Sequence, residues 1–288
     1  MSTEPGDLTH EEWPEHQDET TVDVDGHDVD IAYFEAGDPS VHTVVFLHGI
    51  PTWSYLWRGV APALADDYHV LAPDLAGYGN SAMRDGFDRS IRAQEQVLAD
   101  LVEEHGGDEV SLVAHDIGGG VALRYAAHEP ERVANLVVSN AACYDSWPVE
   151  FISTLGLPEN ADTPREDFAA KLDVAYRDGV YADPSGHEAF VDGMKAPWLR
   201  DGGQRSLVRN AVATNTNHTT ELDYGAITAD VCCLWGADDV LQPVSYAERL
   251  VDDVSGDAAV VELEDAYHWV VEDRTDAYRE ELRAFLPD

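Results

Sequence analysis

The sequence predicts an α/β protein with a mostly parallel β-sheet that carries helices on both faces. Short apolar segments, such as residues 43–47 and 110–114, alternate with amphipathic helical segments, such as residues 91–104. Strands that are apolar throughout are typical of parallel sheets, because both faces of such sheets are buried. The length of 288 residues suits one large domain of this class with an insertion.

The elements follow in a regular order on both sides of one irregular segment. The dipeptide Asp25-Gly26 between two alternating segments predicts a β-hairpin near the start. Apolar periodicity then predicts, in order, strands at 21–24, 29–34 and 43–47, a helix at 55–64, a strand at 69–72, a helix at 91–104, a strand at 110–114, a helix at 118–127 and a strand at 133–139. After the irregular segment it predicts a strand at 231–235, a helix from Val244, a strand at 258–263 and a helix at 275–285.

The irregular segment spans residues 144–225, where Pro, Gly and Asp interrupt short helical patterns and no apolar strand is present. A segment of this length inside a regular sheet indicates an inserted lid rather than a loop. We therefore predict an α/β core at residues 21–143 and 226–288, a helical lid at residues 144–225 and an acidic N-terminal extension at residues 1–20.

The charge of the chain is strongly negative. Fifty-seven acidic residues against 17 basic ones give a net charge of −40, which excludes a nucleic-acid partner. Only two of the basic residues, Lys171 and Lys195, are lysines. At molar salt the Debye length falls to about 3 Å, so crowded carboxylates no longer repel one another. We interpret this composition as adaptation to high salt and expect a halophilic source.

Other features bear on the cell compartment and on cofactors. The chain has no long apolar run that could span a membrane, and its first residues are acidic, unlike a secretory signal. Cys143, Cys232 and Cys233 lie in apolar segments and form no metal-binding motif. We expect a reduced cytoplasmic protein without metal or cofactor, which acts on a small apolar organic substrate and water and binds neither nucleic acid nor membrane.

The segment 111–120, SLVAHDIGGG, has the pattern of a nucleophile elbow. An apolar strand runs directly into a turn of small residues and then into a helix, so the turn exposes Asp116 at a helix N-terminus. Backbone N–H groups and the helix dipole favour an anion in this position. A helix N-cap is the alternative function of such an aspartate.

Three further segments follow predicted strands. Ile50, in His48-Gly49-Ile50-Pro51, lies where its N–H group, together with that of Ile117, would form an oxyanion hole. Asp239 follows the strand at 231–235, and His268 follows the strand at 258–263. The chain order nucleophile, acid, histidine therefore predicts a triad of Asp116, Asp239 and His268. Each segment alone is also compatible with an ordinary turn.

Taken together, HGIPTWSYLWR, PDLAGYGNS, AHDIGGG, LWGADDVLQP and DAYHW resemble the α/β-hydrolase superfamily, and specifically its Asp-nucleophile branch of haloalkane dehalogenases and epoxide hydrolases. The resemblance implies an α/β-hydrolase fold and a hydrolase. It also implies Asp116 as nucleophile, His268 as base, Asp239 as its partner, and Ile50 and Ile117 as oxyanion donors.

Two departures from the dehalogenase pattern bear on the substrate. A Trp commonly follows the nucleophile and an Asn follows the first HG, and both bind halide, whereas this chain has Ile117 and Ile50. In the alternative dehalogenase pattern the orienting carboxylate follows the strand at 133–139, where this chain has Asn140.

Asp at the elbow favours cleavage at a tetrahedral carbon. An ionised carboxylate attacks carbon without a base and forms an alkyl ester, which a water activated by His268 then hydrolyses. A halide leaving group needs N–H donors, and an epoxide oxygen needs an acid. The candidates in the lid are Tyr144, Tyr176, Tyr181, Trp147 and Trp198.

Because Ile117 lacks a donor, the sequence favours an epoxide hydrolase, with a haloalkane dehalogenase as the alternative. A catalytically silent ligand-binding homologue is the alternative of another class. A serine esterase is disfavoured, since position 116 is not Ser.

Overall fold

The computed structural model describes residues 8–181 and 184–287 and contains one eight-stranded sheet within them. Its strands are Gln17–Val24 (β1), His27–Ala36 (β2), Thr43–Leu47 (β3), His69–Pro73 (β4), Val110–His115 (β5), Val133–Ser139 (β6), Asp230–Gly236 (β7) and Ala258–Leu263 (β8). The spatial order is β1-β2-β4-β3-β5-β6-β7-β8. β2 pairs antiparallel with β1 and β4, and all other pairs are parallel. The mostly parallel sheet that the sequence predicts is thus confirmed.

Helices connect the parallel strands and flank the sheet. They are Ile91–His105 (α1), Ile117–His128 (α2), Glu150–Leu155 (α3), Arg165–Asp178 (α4), Glu188–Lys195 (α5), Gly203–Val212 (α6), Asn217–Thr220 (α7), Ser245–Asp253 (α8), Val270–Asp273 (α9) and Thr275–Phe285 (α10). α1 contacts α2, which packs on β5, while α8 and α10 both contact β7. Every residue of β3, β4 and β5 is buried, as expected for central strands with both faces covered.

One predicted helix is wrong. Residues 55–64 form two short 3-10 helices, Ser54–Trp57 and Pro62–Leu64, instead of a single α-helix. Pro62 has no N–H group and fits only the first turn of a helix, so a continuous helix cannot pass through it. The apolar residues of the segment are nevertheless buried, which explains why their spacing resembled that of a helix.

The start of the chain joins the core earlier than the sequence indicates. β1 begins at Gln17, inside the predicted extension of residues 1–20. Trp13 is fully buried, stacks on Phe34 with ring centroids 4.5 Å apart, and donates its indole N–H to Oγ of Ser54 at 2.9 Å. Residues 1–7 of the predicted extension lie outside the described residues.

The lid segment (residues 144–225) enters between β6 and β7. It contains α3 to α7, and its described part contains no strand. Across the described ranges, no helix is both long enough and apolar enough to cross a lipid bilayer.

Candidate active site

Five segments that follow parallel strands meet at one edge of the sheet. They supply Ile50 after β3, Asp116 after β5, Asn140 after β6, Asp239 after β7 and His268 after β8. The carboxyl ends of parallel strands lie at the same edge, which is where open α/β sheets bind their ligands. Parallel pairing therefore brings together residues that are up to about 220 positions apart in sequence.

Asp116 lies in a tight turn between β5 and α2. Its backbone has φ 51° and ψ −123°, a conformation that costs a non-glycine residue about 1–3 kcal/mol. α2 approaches the end of β3 so closely that a Cβ atom on Gly118 would lie 2.5 Å from the carbonyl oxygens of Leu47 and His48. Small residues after Asp116 are therefore required by packing, and the turn directs the carboxylate towards the loop after β3.

Backbone N–H groups hold one side of the Asp116 carboxylate. The N–H of Ile50 donates to Oδ1 at 2.8 Å, and the N–H of Ile117 also hydrogen-bonds this carboxylate. The loop passes so near that a Cβ atom on Gly49 would lie 2.5 Å from Oδ1. The two predicted oxyanion donors are therefore next to the carboxylate, and Oδ2 is the oxygen nearer to His268.

His268 lies between the two carboxylates. Its Nδ1 is 2.9 Å from Oδ2 of Asp239, and its Nε2 is 3.8 Å from Oδ2 of Asp116. Asp239 also accepts hydrogen bonds from Nδ2 of Asn140 at 2.7 Å and from the N–H of Leu241 at 2.7 Å. These contacts fix the carboxylate of Asp239, which in turn orients the imidazole.

Burial and charge act in opposition on these three groups. Burial raises the pKa of Asp116 above 3.8, and His268 and the backbone N–H groups only partly offset this effect. Burial lowers the pKa of His268, but the charge of Asp239, its hydrogen bond and the charge of Asp116 outweigh burial and raise that pKa above 6.5. Burial likewise raises the pKa of Asp239, but the charge of His268 and the hydrogen bonds from His268, Asn140 and Leu241 outweigh it, so the pKa lies below 3.8.

A cavity of about 440 Å³ opens onto this group of residues. Its wall is mostly apolar, as is usual for sites that bind small organic molecules. The lining residues are Ile50, Pro51, Asp116, Trp147, Val149, Phe151, Ile152, Lys171, Val174, Ala175, Asp178, Gly179, Asp239, Val240, Leu241, Gln242, Tyr267, His268 and Trp269.

Trp147 is the predicted leaving-group residue that does line the cavity. Its side chain is buried, and its indole N–H has no hydrogen-bond partner among the described residues. A buried donor without a partner is costly, so such groups usually have a ligand or a functional role.

Trp198 and Tyr176 do not line the cavity, and their polar groups are already engaged. The indole N–H of Trp198 donates to the carbonyl oxygen of Pro51 at 2.6 Å, and the hydroxyl of Tyr176 donates to the same oxygen at 2.8 Å. Both side chains therefore fix the position of the Pro51 loop. Neither polar group is therefore an unpaired donor.

Tyr144 and Tyr181 also do not line the cavity. The hydroxyl of Tyr144 donates to Oδ2 of Asp253 at 2.8 Å, and that of Tyr181 hydrogen-bonds the side chain of Asp265. Tyr144, Tyr176 and Tyr181 therefore do not line the cavity, and the hydroxyl of each is already hydrogen-bonded.

Three residues of the site were not identified as site residues from the sequence. Asn140 was considered only as a missing carboxylate, yet its amide bridges β6 and β7, donating to Asp239 and accepting the N–H of Gly236 at 3.0 Å. Its place directly after a parallel strand was the available signal. Tyr267, next to His268 in sequence, lines the cavity, as does Lys171 of α4. Nothing in the local sequence distinguishes Lys171.

Residues 8–181 and 184–287 contain no cluster of three or more His, Cys, Asp or Glu side chains suited to a metal ion. Cys143, Cys232 and Cys233 are buried free thiols, and burial raises the pKa of each.

Comparison with known proteins finds hydrolases similar to this chain. A family model described as "alpha/beta hydrolase fold" matches residues 42–183. Haloalkane dehalogenase 2 of Mycobacterium tuberculosis (strain ATCC 25618 / H37Rv) is 25% identical over 245 residues, which cover 81% of this chain and 84% of that protein. A soluble epoxide hydrolase of Corynebacterium sp. (strain C12) is 40% identical over 107 residues, which cover 37% of this chain and 36% of that protein.

The solved structures agree on the fold. An α/β-hydrolase-fold protein from Burkholderia ambifaria superposes with a TM-score of 0.80 at 24% identity, covering 92% of this chain and 99% of that one. The predicted fold is therefore confirmed. The chain has the α/β-hydrolase fold, and a haloalkane dehalogenase and a soluble epoxide hydrolase are among the proteins to which its sequence is similar.

Proposed function

We propose that this protein is a hydrolase in which Asp116 attacks an alkyl carbon and His268 activates the water that completes the reaction. One observation carries the proposal: Oδ1 of Asp116 accepts the N–H of Ile50 at 2.8 Å, while Oδ2 lies 3.8 Å from Nε2 of His268. The two carboxylate oxygens thus have different surroundings. The order of steps follows from that difference.

In the first step Oδ2 attacks the substrate carbon, and the leaving group departs with the bonding electrons. The carboxylate becomes an alkyl ester whose carbonyl oxygen is Oδ1. In the second step His268 removes a proton from water, and the resulting hydroxide adds to Cγ of Asp116. The N–H groups of Ile50 and Ile117 stabilise the charge that develops on Oδ1. Collapse of this intermediate releases the alcohol and returns the carboxylate.

Trp147 favours a halide as the leaving group. Its indole N–H has no partner among the described residues and belongs to a side chain of the cavity wall. A single N–H donor in an apolar site suits a departing halide ion, which needs a hydrogen bond but no proton. Trp147 is thus the residue that would supply the donor that Ile117 lacks, and it favours haloalkane dehalogenation over the epoxide reaction that the sequence favours.

Epoxide opening is the second candidate, because Tyr267 lines the cavity beside His268. Its phenol is a group in the wall that could protonate the departing alkoxide. The 40% identity to a soluble epoxide hydrolase over 107 residues supports the same candidate. A silent ligand-binding protein stays the alternative of another class, although binding alone requires neither the triad nor the oxyanion donors.

A substrate panel distinguishes these candidates. Purified protein and its Asp116→Ala variant are incubated with bromoalkanes, terminal epoxides and short esters, and halide release, diol formation and acid release are measured. We expect halide release by the wild type and none by Asp116→Ala. Diol formation without halide release would establish the epoxide candidate. Stabilisation by these compounds without turnover of any of them would establish the binding protein.

A further inference from the structure

One helix of the lid segment presents a lysine to the cavity. α4 contributes Lys171, Val174, Ala175 and Asp178 to the wall, and this spacing places them on a single helical face. The end of α4 lies against the candidate triad, because the N–H of Trp269 donates to the carbonyl oxygen of Gly179 at 3.1 Å. Lys171 is eight residues earlier, or about 12 Å along the helix axis. Lys171 therefore marks the end of the cavity that is remote from the triad.

The ammonium group of Lys171 is held in place by a buried amide. Its Nζ donates to Oδ1 of Asn160 at 2.7 Å, and Asn160 is only 3% exposed. The amide nitrogen of Asn160 is bound to the carbonyl oxygens of Thr154 at 2.8 Å and Leu155 at 3.3 Å, so the amide cannot turn away. An ammonium group has three donors, and Asn160 uses one of them.

No carboxylate among the described residues lies within 4.0 Å of this ammonium group, although the chain carries a net charge of −40. The other lysine of the chain provides a contrast. Nζ of Lys195 pairs with Asp173 at 2.7 Å and with Asp192 at 3.1 Å. Lys171 is an exposed residue, and in so acidic a protein a cation that has no carboxylate partner among the described residues is suited to an anion supplied by a ligand.

The rim of the same cavity is apolar. Val174, Val240 and Leu241 line the cavity and are 58%, 85% and 39% exposed. Large exposed apolar side chains grouped at the mouth of a site favour contact with an apolar ligand. Two carboxylates share this face of α4 with Lys171: Asp167, four residues earlier and about 6 Å along the helix, and Asp178, seven residues later and about 10 Å along it. At molar salt, where the Debye length is about 3 Å, the repulsion between either carboxylate and an anion at Lys171 is largely screened.

We propose that Lys171 binds the anionic end of the substrate, so that the site prefers an alkyl chain with a reactive carbon at one end and a carboxylate at the other. The reactive carbon reaches Asp116, the methylene groups contact the apolar wall, and the carboxylate meets Nζ of Lys171. The substrate class is that of ω-substituted alkanoates. This inference rests on the proposed function for the reactive carbon of the substrate, whereas binding of the carboxylate at Lys171 does not depend on that function.

Kinetics with a matched pair of substrates tests the inference. The values of kcat/KM for 6-bromohexanoate and for its neutral analogue 6-bromohexanamide are measured at molar KCl, where a contact pair persists and long-range fields are screened. We expect Lys171→Gln to lower the ratio of kcat/KM for 6-bromohexanoate to kcat/KM for 6-bromohexanamide about twofold to fivefold, the size of effect expected for an exposed ion pair. Lys171→Arg should retain the ratio. Lys195→Gln is the control and should also retain it.

Binding of the non-reactive compounds hexanoate and hexanamide, measured by calorimetry, tests the carboxylate site without any turnover. Tighter binding of hexanoate to the wild type than to Lys171→Gln, with no such difference for hexanamide, supports the inference. Equal binding of hexanoate to both proteins, or an unchanged ratio of kcat/KM in Lys171→Gln, would overturn it. If hexanoate prefers the wild type but neither bromide is turned over, the proposed function fails and the carboxylate site stands.

Discussion

Nε2 of His268 lies 3.8 Å from Oδ2 of Asp116, beyond hydrogen-bond distance. A serine nucleophile must transfer its proton to the histidine and therefore needs a direct hydrogen bond to it. A carboxylate has no proton to transfer, so the imidazole can act on water instead. The separation of these two side chains is compatible with the different steps proposed for them, and several measurements can test that proposal.

Removal of the imidazole should separate the two steps. His268→Gln should release one equivalent of bromide from a bromoalkane and then stop, because the alkyl ester forms but is not hydrolysed. Intact mass spectrometry should show the added alkyl group, and peptide mapping should locate it on Asp116. Asp116→Ala should show neither the burst nor the adduct. Absence of both from His268→Gln would instead indicate that His268 acts in the first step.

The hydrolytic step should require a neutral His268. In the free enzyme the charges of Asp239 and Asp116 and the hydrogen bond to Asp239 together outweigh burial and raise the pKa of His268 above 6.5. The alkyl-enzyme lacks the charge of Asp116, so its hydrolysis should be lost as the pH falls through the pKa of His268 that Asp239 maintains against burial. Asp239→Asn removes the carboxylate charge that raises the pKa of His268, while the burial that lowers this pKa remains. The pKa of His268 should therefore fall, and the loss of hydrolysis at acid pH should move to a lower pH. Single-turnover rates between pH 5 and 9 provide the measurement. An acid limb that does not move would exclude Asp239 as the cause.

Replacement of the indole should affect poor leaving groups most. Trp147→Phe should slow chloride release by about 10- to 100-fold, because it removes the unpaired N–H donor of the cavity wall. Iodide, which departs more easily, should be slowed less. Trp198→Phe is the control, since its indole already donates to Pro51, and it should leave the ratio of chloride to iodide rates unchanged. Equal effects of Trp147→Phe on both halides would contradict the assigned role.

The net charge of −40 should make stability dependent on salt. Repulsion among surface carboxylates is relieved as the Debye length shortens to about 3 Å at molar ionic strength. The melting temperature should therefore rise between low and molar KCl. Sorbitol at matched osmolarity is the control for effects unrelated to charge. A melting temperature that is flat or falls across this range would contradict adaptation to high salt.

The sequence predicts the candidate triad at the strand ends better than it predicts the contacts of the lid residues. Strand ends can be recognised from apolar runs, and parallel pairing then brings Asp116, Asp239 and His268 together at one edge. No comparable rule predicts which residues of the lid segment line the cavity, because the lid helices are positioned by side-chain contacts between distant residues. The hydroxyl of Tyr176 is bound to Pro51, 125 positions away, which the sequence around Tyr176 does not reveal.

The apolar spacing of a segment also gave a wrong prediction where a single residue interrupts the predicted element. Residues 55–64 have apolar spacing typical of a helix, but Pro62 divides the segment into two short turns. Asn140 shows the opposite case. It lies where the sequence led us to look for a carboxylate, and the structure has its amide supporting the carboxylate of Asp239 from the neighbouring strand.

The backbone of Asp116 has a consequence for the evolution of this protein. With φ at 51° and a buried carboxylate whose pKa burial raises, this residue combines two unfavourable contributions to folding. Glycine would adopt the same backbone without strain and would bury no charge. A variant with Asp116→Gly should therefore melt at a higher temperature than the active protein. Selection for heat resistance alone would favour the loss of Asp116, the proposed nucleophile, and only a continuing requirement for turnover would retain this residue.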